Sequence, residues 1–170
     1  MPTADRLASL AAADLQQAVR AYVRSGSAAA FERAMERALV KAHTAAYLRG
    51  TADRTGVLAT GLSRAERADV RALIADQLGY LRDFAQSAPD LSPPAVAARA
   101  ALYVGAMRAT YYGARYPGLD FYPGDGSCAC LTNCQCHLEA DEDGVFWVLG
   151  PNDNHCDDCR ERADGSPYTR

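Results

Sequence analysis

Cys128-Ala129-Cys130-Leu131-Thr132-Asn133-Cys134-Gln135-Cys136-His137 and, nineteen residues after Cys136, His155-Cys156-Asp157-Asp158-Cys159 decide the reading of this chain. All six cysteines lie in these two groups, and the 127 residues before Cys128 contain none. Between the groups sits a short segment of β type that carries the only tryptophan, Trp147. Two close-spaced cysteine groups flanking a β-hairpin give the layout of a zinc ribbon. Each group sits on a turn at the same end of the hairpin, so four thiolates converge on one tetrahedral ion. A hairpin this small has little core of its own, and metal binding supplies folding free energy in its place.

Cys156-x-x-Cys159 has the common ligand spacing. The first group is less regular and reads as Cys134-x-Cys136 or Cys130-x3-Cys134. The preferred ligand set is Cys134, Cys136, Cys156 and Cys159, with Cys130 the leading substitute and Cys128 a bystander. His137 and His155 adjoin ligand cysteines, and either could replace one. Disulfides are the main competitor, since six cysteines allow 15 pairings. A redox Cys156-x-x-Cys159 pair ranks third, because such pairs usually begin a helix inside a βαβ unit and none is visible. A catalytic zinc ranks last; it needs an open ligand position and a base, and neither can be named.

Outward from that stretch, Gly118 to Ser127 is rich in Gly, Pro and Asp and divides a helical body, 1–117, from a cysteine-rich tail, 118–170. Within the tail, Cys136–Ala140 and Val145–Leu149 read as strands joined by Asp141-Glu142-Asp143-Gly144, whose Asp-Gly is a hairpin signal. Trp147 is the expected core of that hairpin, and the acidic run at its turn is expected to be solvated. Cys156 to Ala163 forms a last helical turn, with Asp157 and Asp158 stabilising its start.

The body reads as four amphipathic helices. Residues 4–24 place Leu7, Leu10, Leu15, Ala18 and Tyr22 near one face. Ser27 caps a second helix, 28–49, with Phe31, Met35, Ala38, Leu39, Ala42 and Ala46 inward and Gly50 as its stop. Residues 50–62 form a loop. Ser63-Arg64-Ala65-Glu66 is a capping box for a third helix, 64–87, that buries Val70, Leu73, Ile74, Leu78, Leu81 and Phe84. Ser92-Pro93-Pro94 opens a fourth, to Arg115, with Val96, Ala100, Tyr103, Val104, Met107 and Tyr111 inward. The third and fourth helices are expected to form an antiparallel pair. The fold class is mainly α: a helical bundle or extended helices with a small C-terminal zinc-ribbon-like hairpin.

The chain has 170 residues, enough for one domain with a small appendix, and a net charge of −3. That charge argues against a wholesale nucleic-acid binder. Lys41 is the only lysine. No apolar run reaches the roughly 20 residues a membrane helix needs. Met1-Pro2-Thr3-Ala4-Asp5 lacks the layout of a signal peptide, which points to assembly in a reducing cytoplasm, where clustered cysteines are read first as metal ligands. There is no Walker loop, no Gly-x-Ser-x-Gly and no His-Glu-x-x-His, so no catalytic or cofactor-binding residue is assigned. His43 reads as a surface or core-edge histidine. Tyr103, Tyr111, Tyr112, Tyr116 and Tyr122 either pack the tail onto the helix end or form a protein interface.

Five stretches of the tail together carry a resemblance: Tyr122-Pro123-Gly124-Asp125-Gly126, Cys130 to Cys136, Phe146-Trp147-Val148-Leu149, His155 to Cys159, and Ala163-Asp164-Gly165-Ser166-Pro167-Tyr168. The tail resembles a recurrent region of tailed-bacteriophage minor structural proteins, the minor-head or head-morphogenesis group. Ala101-Leu102-Tyr103 and Tyr111-Tyr112-Gly113 are similar to that group's lead-in helix. The resemblance covers about a quarter of the chain, which is short for the group and lacks its longer N-terminal portion. It implies a virion component without enzymatic activity, assembled in the host bacterial cytoplasm. Its expected partners are portal, capsid or connector proteins and copies of itself. The competing readings are a zinc-ribbon nucleic-acid-binding or regulatory module, which the acidic surroundings of the cysteines disfavour, and, lower, a thiol oxidoreductase.

Overall fold

The first helix, α1 (Thr3–Ser25), is set by apolar spacing, and the computed structural model describes residues 3–169. Met1 and Pro2, the start of the leader reading, lie outside the described residues. Ala11, Leu15, Ala18, Val19 and Tyr22 are buried, one step of three or four apart. Leu10, expected inward, is 64% exposed, because it sits about 100° around the helix from Ala11.

Ser27 caps α2 (Ala28–Thr55), its Oγ accepting from the Ala30 N–H at 3.3 Å. The expected stop at Gly50 does not occur. The helix runs on to Thr55 and ends at Gly56, whose φ of 74° and N–H bond to the Ala52 carbonyl close it. Gly50 has a different task. A Cβ there would stand 2.3 Å from the Tyr111 carbonyl oxygen, so glycine lets a second helix approach. The extra turn then supplies Asp53 and Arg54 to that neighbour, α6 (Met107–Arg115). Tyr111 Oη donates to Asp53 at 2.7 Å, and Arg54 Nε donates to the Ala114 carbonyl at 2.9 Å.

The expected third helix is two pieces, α3 (Arg64–Leu73) and α4 (Ala75–Ser87), with Ile74 between them at φ −102° and ψ 3°. The capping box forms as read. Leu73 is exposed, while Val70, Ile74, Leu81 and Phe84 are buried. The expected fourth helix is likewise divided, into α5 (Pro93–Leu102) and α6. The N–H groups of Tyr103, Val104, Gly105, Met107 and Arg108 bond three residues back rather than four, which tightens and bends the chain. Gly105 lies in this bend.

Packing is organised by α2, which lies against α1, α4 and α6, while α1 also meets α5. These contacts outrank the expected pairing of the third and fourth helices. Leu15, Tyr22, Phe31, Met35, Leu39, Leu81, Phe84 and Val96 fill an upper core. Phe31 meets Tyr22 and Phe84 with ring centroids 4.9 and 5.4 Å away. Burying each such phenylalanine stabilises the fold by about 1.5–3 kcal/mol.

A second core joins body and tail. Met107, Tyr111, Tyr112 and Tyr116 of the α6 region pack with Cys128, Cys134, Cys136, Leu138, Val145, Trp147 and Cys159. The buried tyrosines therefore dock the tail, and the packing reading holds for them. In the tail, β1 (His137–Ala140) pairs antiparallel with β2 (Val145–Val148), with Leu138 opposite Trp147. Alternation buries Leu138, Val145 and Trp147 on one face. The last helix is α7 (Asp157–Asp164). Among the described residues, no helix is long and apolar enough to cross a membrane.

Candidate metal centre

Three pieces of backbone bring the cysteines together. The first is the loop from Cys128 to Cys136, wound by a 3-10 turn over Leu131–Asn133. Its bonds run from Leu131 N to the Cys128 carbonyl at 2.8 Å and from Asn133 N to the Cys130 carbonyl at 3.0 Å. Leu131 adopts φ 51°, a left-handed conformation that costs about 1–2 kcal/mol for a side chain of this kind. The loop is pressed onto the helical bend, where a Cβ on Gly105 would stand 1.9 Å from the Thr132 carbonyl oxygen. Arg108 Nη1 donates to the Cys134 carbonyl at 2.5 Å.

The second piece is the hairpin, which delivers Cys136 at its entrance. Gly150, just past β2, lies against Gln135; a Cβ there would be 2.7 Å from the Gln135 carbonyl oxygen. The third is α7, with Cys156 as its N-terminal cap and Cys159 in its first turn. Asp158 Oδ2 accepts from the Ala129 N–H at 2.7 Å, tying the start of α7 to the first cysteine loop. The segment after α7 folds back on the hairpin. Tyr168 exchanges both backbone bonds with Val145, Tyr168 Oη donates to the Arg162 carbonyl at 2.6 Å, and Ser166 Oγ accepts from the Trp147 N–H at 2.8 Å.

The result is two overlapping triads of sulfur. Cys128, Cys130 and Cys159 lie within 4.8 Å of one another, and so do Cys134, Cys136 and Cys159. The Cys130–Cys159 and Cys134–Cys159 sulfurs are each 3.7 Å apart. Sulfurs bound to a tetrahedral zinc at about 2.3 Å stand about 3.8 Å from each other, whereas disulfide sulfurs stand about 2.05 Å apart. All six cysteines are free thiols. The cluster is largely buried: Cys128, Cys134, Cys136 and Cys159 are enclosed, and Cys130 and Cys156 half-buried.

The electrostatics are those of crowded thiols. The Cys134 thiol donates to Cys136, which with the Gly150 N–H and the Cys159 thiol, and against burial, pulls the Cys136 pKa down to about 5. The same bond and burial push Cys134 up. Burial pushes Cys159 up, and it lifts Cys128 to about 11 despite the neighbouring Arg162 guanidinium. At Cys156, burial is outweighed by hydrogen bonds from Cys159 and Cys130, and its pKa falls.

Comparison with protein-family models, with characterised proteins and with solved structures finds no match.

Of the preferred ligands, Cys134, Cys136 and Cys159 are brought together, and Cys130, the leading substitute, sits beside Cys159. Cys156, the fourth preferred ligand, joins neither triad, although it neighbours Cys159 and Cys130. Cys128, expected to be a bystander, is a member of a triad. His137 instead pairs with Glu139 at 3.1 Å, and neither His137 nor His155 joins a triad. Spacing alone hid Cys128, because its sulfur is placed by Arg162 from α7, thirty-four residues away, whose Nη1 donates to it at 2.7 Å. Arg162 also stacks over Phe121 and Trp147, 4.3 and 5.1 Å from the ring centroids. His43, read as a surface or core-edge group, is buried in the α2–α6 contact, with Nδ1 2.7 Å from Thr110 Oγ1. Buried thiols converging at this spacing have the softness and geometry for a closed structural site.

Proposed function

We propose that this chain is a non-enzymatic structural component of a phage virion, of the minor-head or portal-proximal kind, whose C-terminal tip is closed by structural zinc. The observation that carries the metal half is the pair of sulfur triads meeting at Cys159, with 3.7 Å edges that suit tetrahedral thiolate coordination. Zinc fits better than a hard cation, because every clustered ligand is a sulfur. With zinc in place, the cysteine loop, hairpin and α7 become one rigid unit seated on α6.

The virion half rests on the resemblance of the tail. It is supported by apolar side chains left outside on several elements: Leu10 and Val23 on α1, Leu73 on α3, Tyr80 on α4, and Val57 and Leu58 in the loop after α2. In a symmetric assembly such side chains would be covered by neighbouring subunits. The test is light scattering of the purified chain, alone and with the portal, capsid and connector proteins encoded beside it. Self-association or a stable complex supports the reading. A chain that stays monomeric and binds none of them overturns it.

A further inference from the structure

We propose that the tip holds two metal ions rather than one, with Cys159 as a thiolate shared between them. The proposal rests on the metal-closed tip argued above and deepens it. A single tetrahedral site uses four sulfurs and leaves two cysteines idle. Here the six sulfurs do not divide that way. Cys128 and Cys130 gather on one side of Cys159, Cys134 and Cys136 on the other, and Cys159 belongs to both triads. Its sulfur is 3.7 Å from Cys130 on the first side and 3.7 Å from Cys134 on the second, the edge length of a tetrahedral thiolate site in both directions.

Five of the six cysteine sulfurs thus fall in the two triads, which share Cys159, and Cys156 lies outside both. Cys156 interacts with Cys159, Cys130 and Cys128, which places it beside the first triad. Cys156 therefore completes four sulfurs on the first ion, and the second is held by the three buried sulfurs of Cys134, Cys136 and Cys159. Two divalent ions and six thiolates carry a net charge of −2. Arg162, whose Nη1 reaches Cys128 at 2.7 Å, stands where it offsets part of that charge.

The test is titration of the metal-free, reduced full chain with Co(II), followed by its sulfur-to-cobalt charge-transfer band, with zinc content of the native chain measured in parallel. The proposal expects the band to rise to a break at two equivalents, and two zinc ions per native chain. It expects Cys128→Ser to fall to about one ion. A break at one equivalent, with one zinc and no effect of Cys128→Ser, overturns the two-ion site and leaves the single-zinc tip standing. No thiolate band and no zinc overturns both.

Discussion

Gly50 in α2 and Tyr111 in α6 meet backbone to backbone: a Cβ on Gly50 would stand 2.3 Å from the Tyr111 carbonyl oxygen. The contact belongs to the seam that supports the tip, since Tyr111 also lies in the core beneath the cysteines. Gly50→Ala gains about 1 kcal/mol of helix propensity. It also forces apart two backbones that have no flexible side chain to give way, and such overpacking costs about 1–3 kcal/mol. The second effect wins, so the variant loses stability in urea denaturation. A neutral or stabilised variant would show that the helices are not in this contact.

His43 lies in the same seam. Burial lowers its pKa from 6.5 to about 4, against the opposing effect of Gln77. Between those values the unfolded chain binds a proton that the folded chain refuses. This contribution is therefore complete above pH 6.5 and is lost as pH falls toward 4, by about 3 kcal/mol in all. Acid also competes with metal for thiolates, so the useful quantity is the difference between wild type and His43→Gln. That difference is expected to shrink as pH falls from 6.5 to 4. Parallel curves would place His43 in water.

Ser63 and Glu66 cap α3 reciprocally, with Ser63 N–H donating to Glu66 at 2.7 Å and Glu66 N–H donating to Ser63 at 3.2 Å. Ser63→Ala removes one arm and is expected to cost about 1 kcal/mol. Metal content should be unchanged, because α3 packs on α2 and α4. Loss of metal in this variant would mean that the body and tip unfold as one unit.

Arg162 holds the first triad from outside, through Cys128 Sγ, Ser127 Oγ and the Ser127 carbonyl. Arg162→Lys keeps the charge and loses the fork of donors. Groups that orient metal ligands are commonly worth 10–100-fold in affinity, so zinc binding should weaken by at least about tenfold in competition with a chromophoric chelator. Unchanged affinity with an intact circular dichroism spectrum would show that Cys128 is no ligand.

Much of this was legible in the residues. Apolar spacing located the helical segments, Ser27 and Ser63 marked two starts, and the Asp-Gly turn located the hairpin. The three-residue step also singled out Cys159, whose sulfur both triads share, whereas Cys156 joins neither. What escaped depended on partners distant in sequence. Gly50 reads as a stop unless one knows that α6 crosses there. Ile74 and Gly105 sit at breaks inside patterns that stay periodic across them. Leu10 and Leu73 fit a generous apolar stripe yet fall on its outer edge. Cys128 has no regular partner spacing, and only Arg162, reaching back from α7, places its sulfur.

Whether metal closes the tip is read from elemental analysis of freshly purified chain with a free-thiol count on the same sample. Bound zinc is expected, with thiols that react only after chelation. A metal-free chain would contradict it, with oxidised thiols pointing to a disulfide knot and freely reactive thiols pointing to redox chemistry at Cys156 and Cys159.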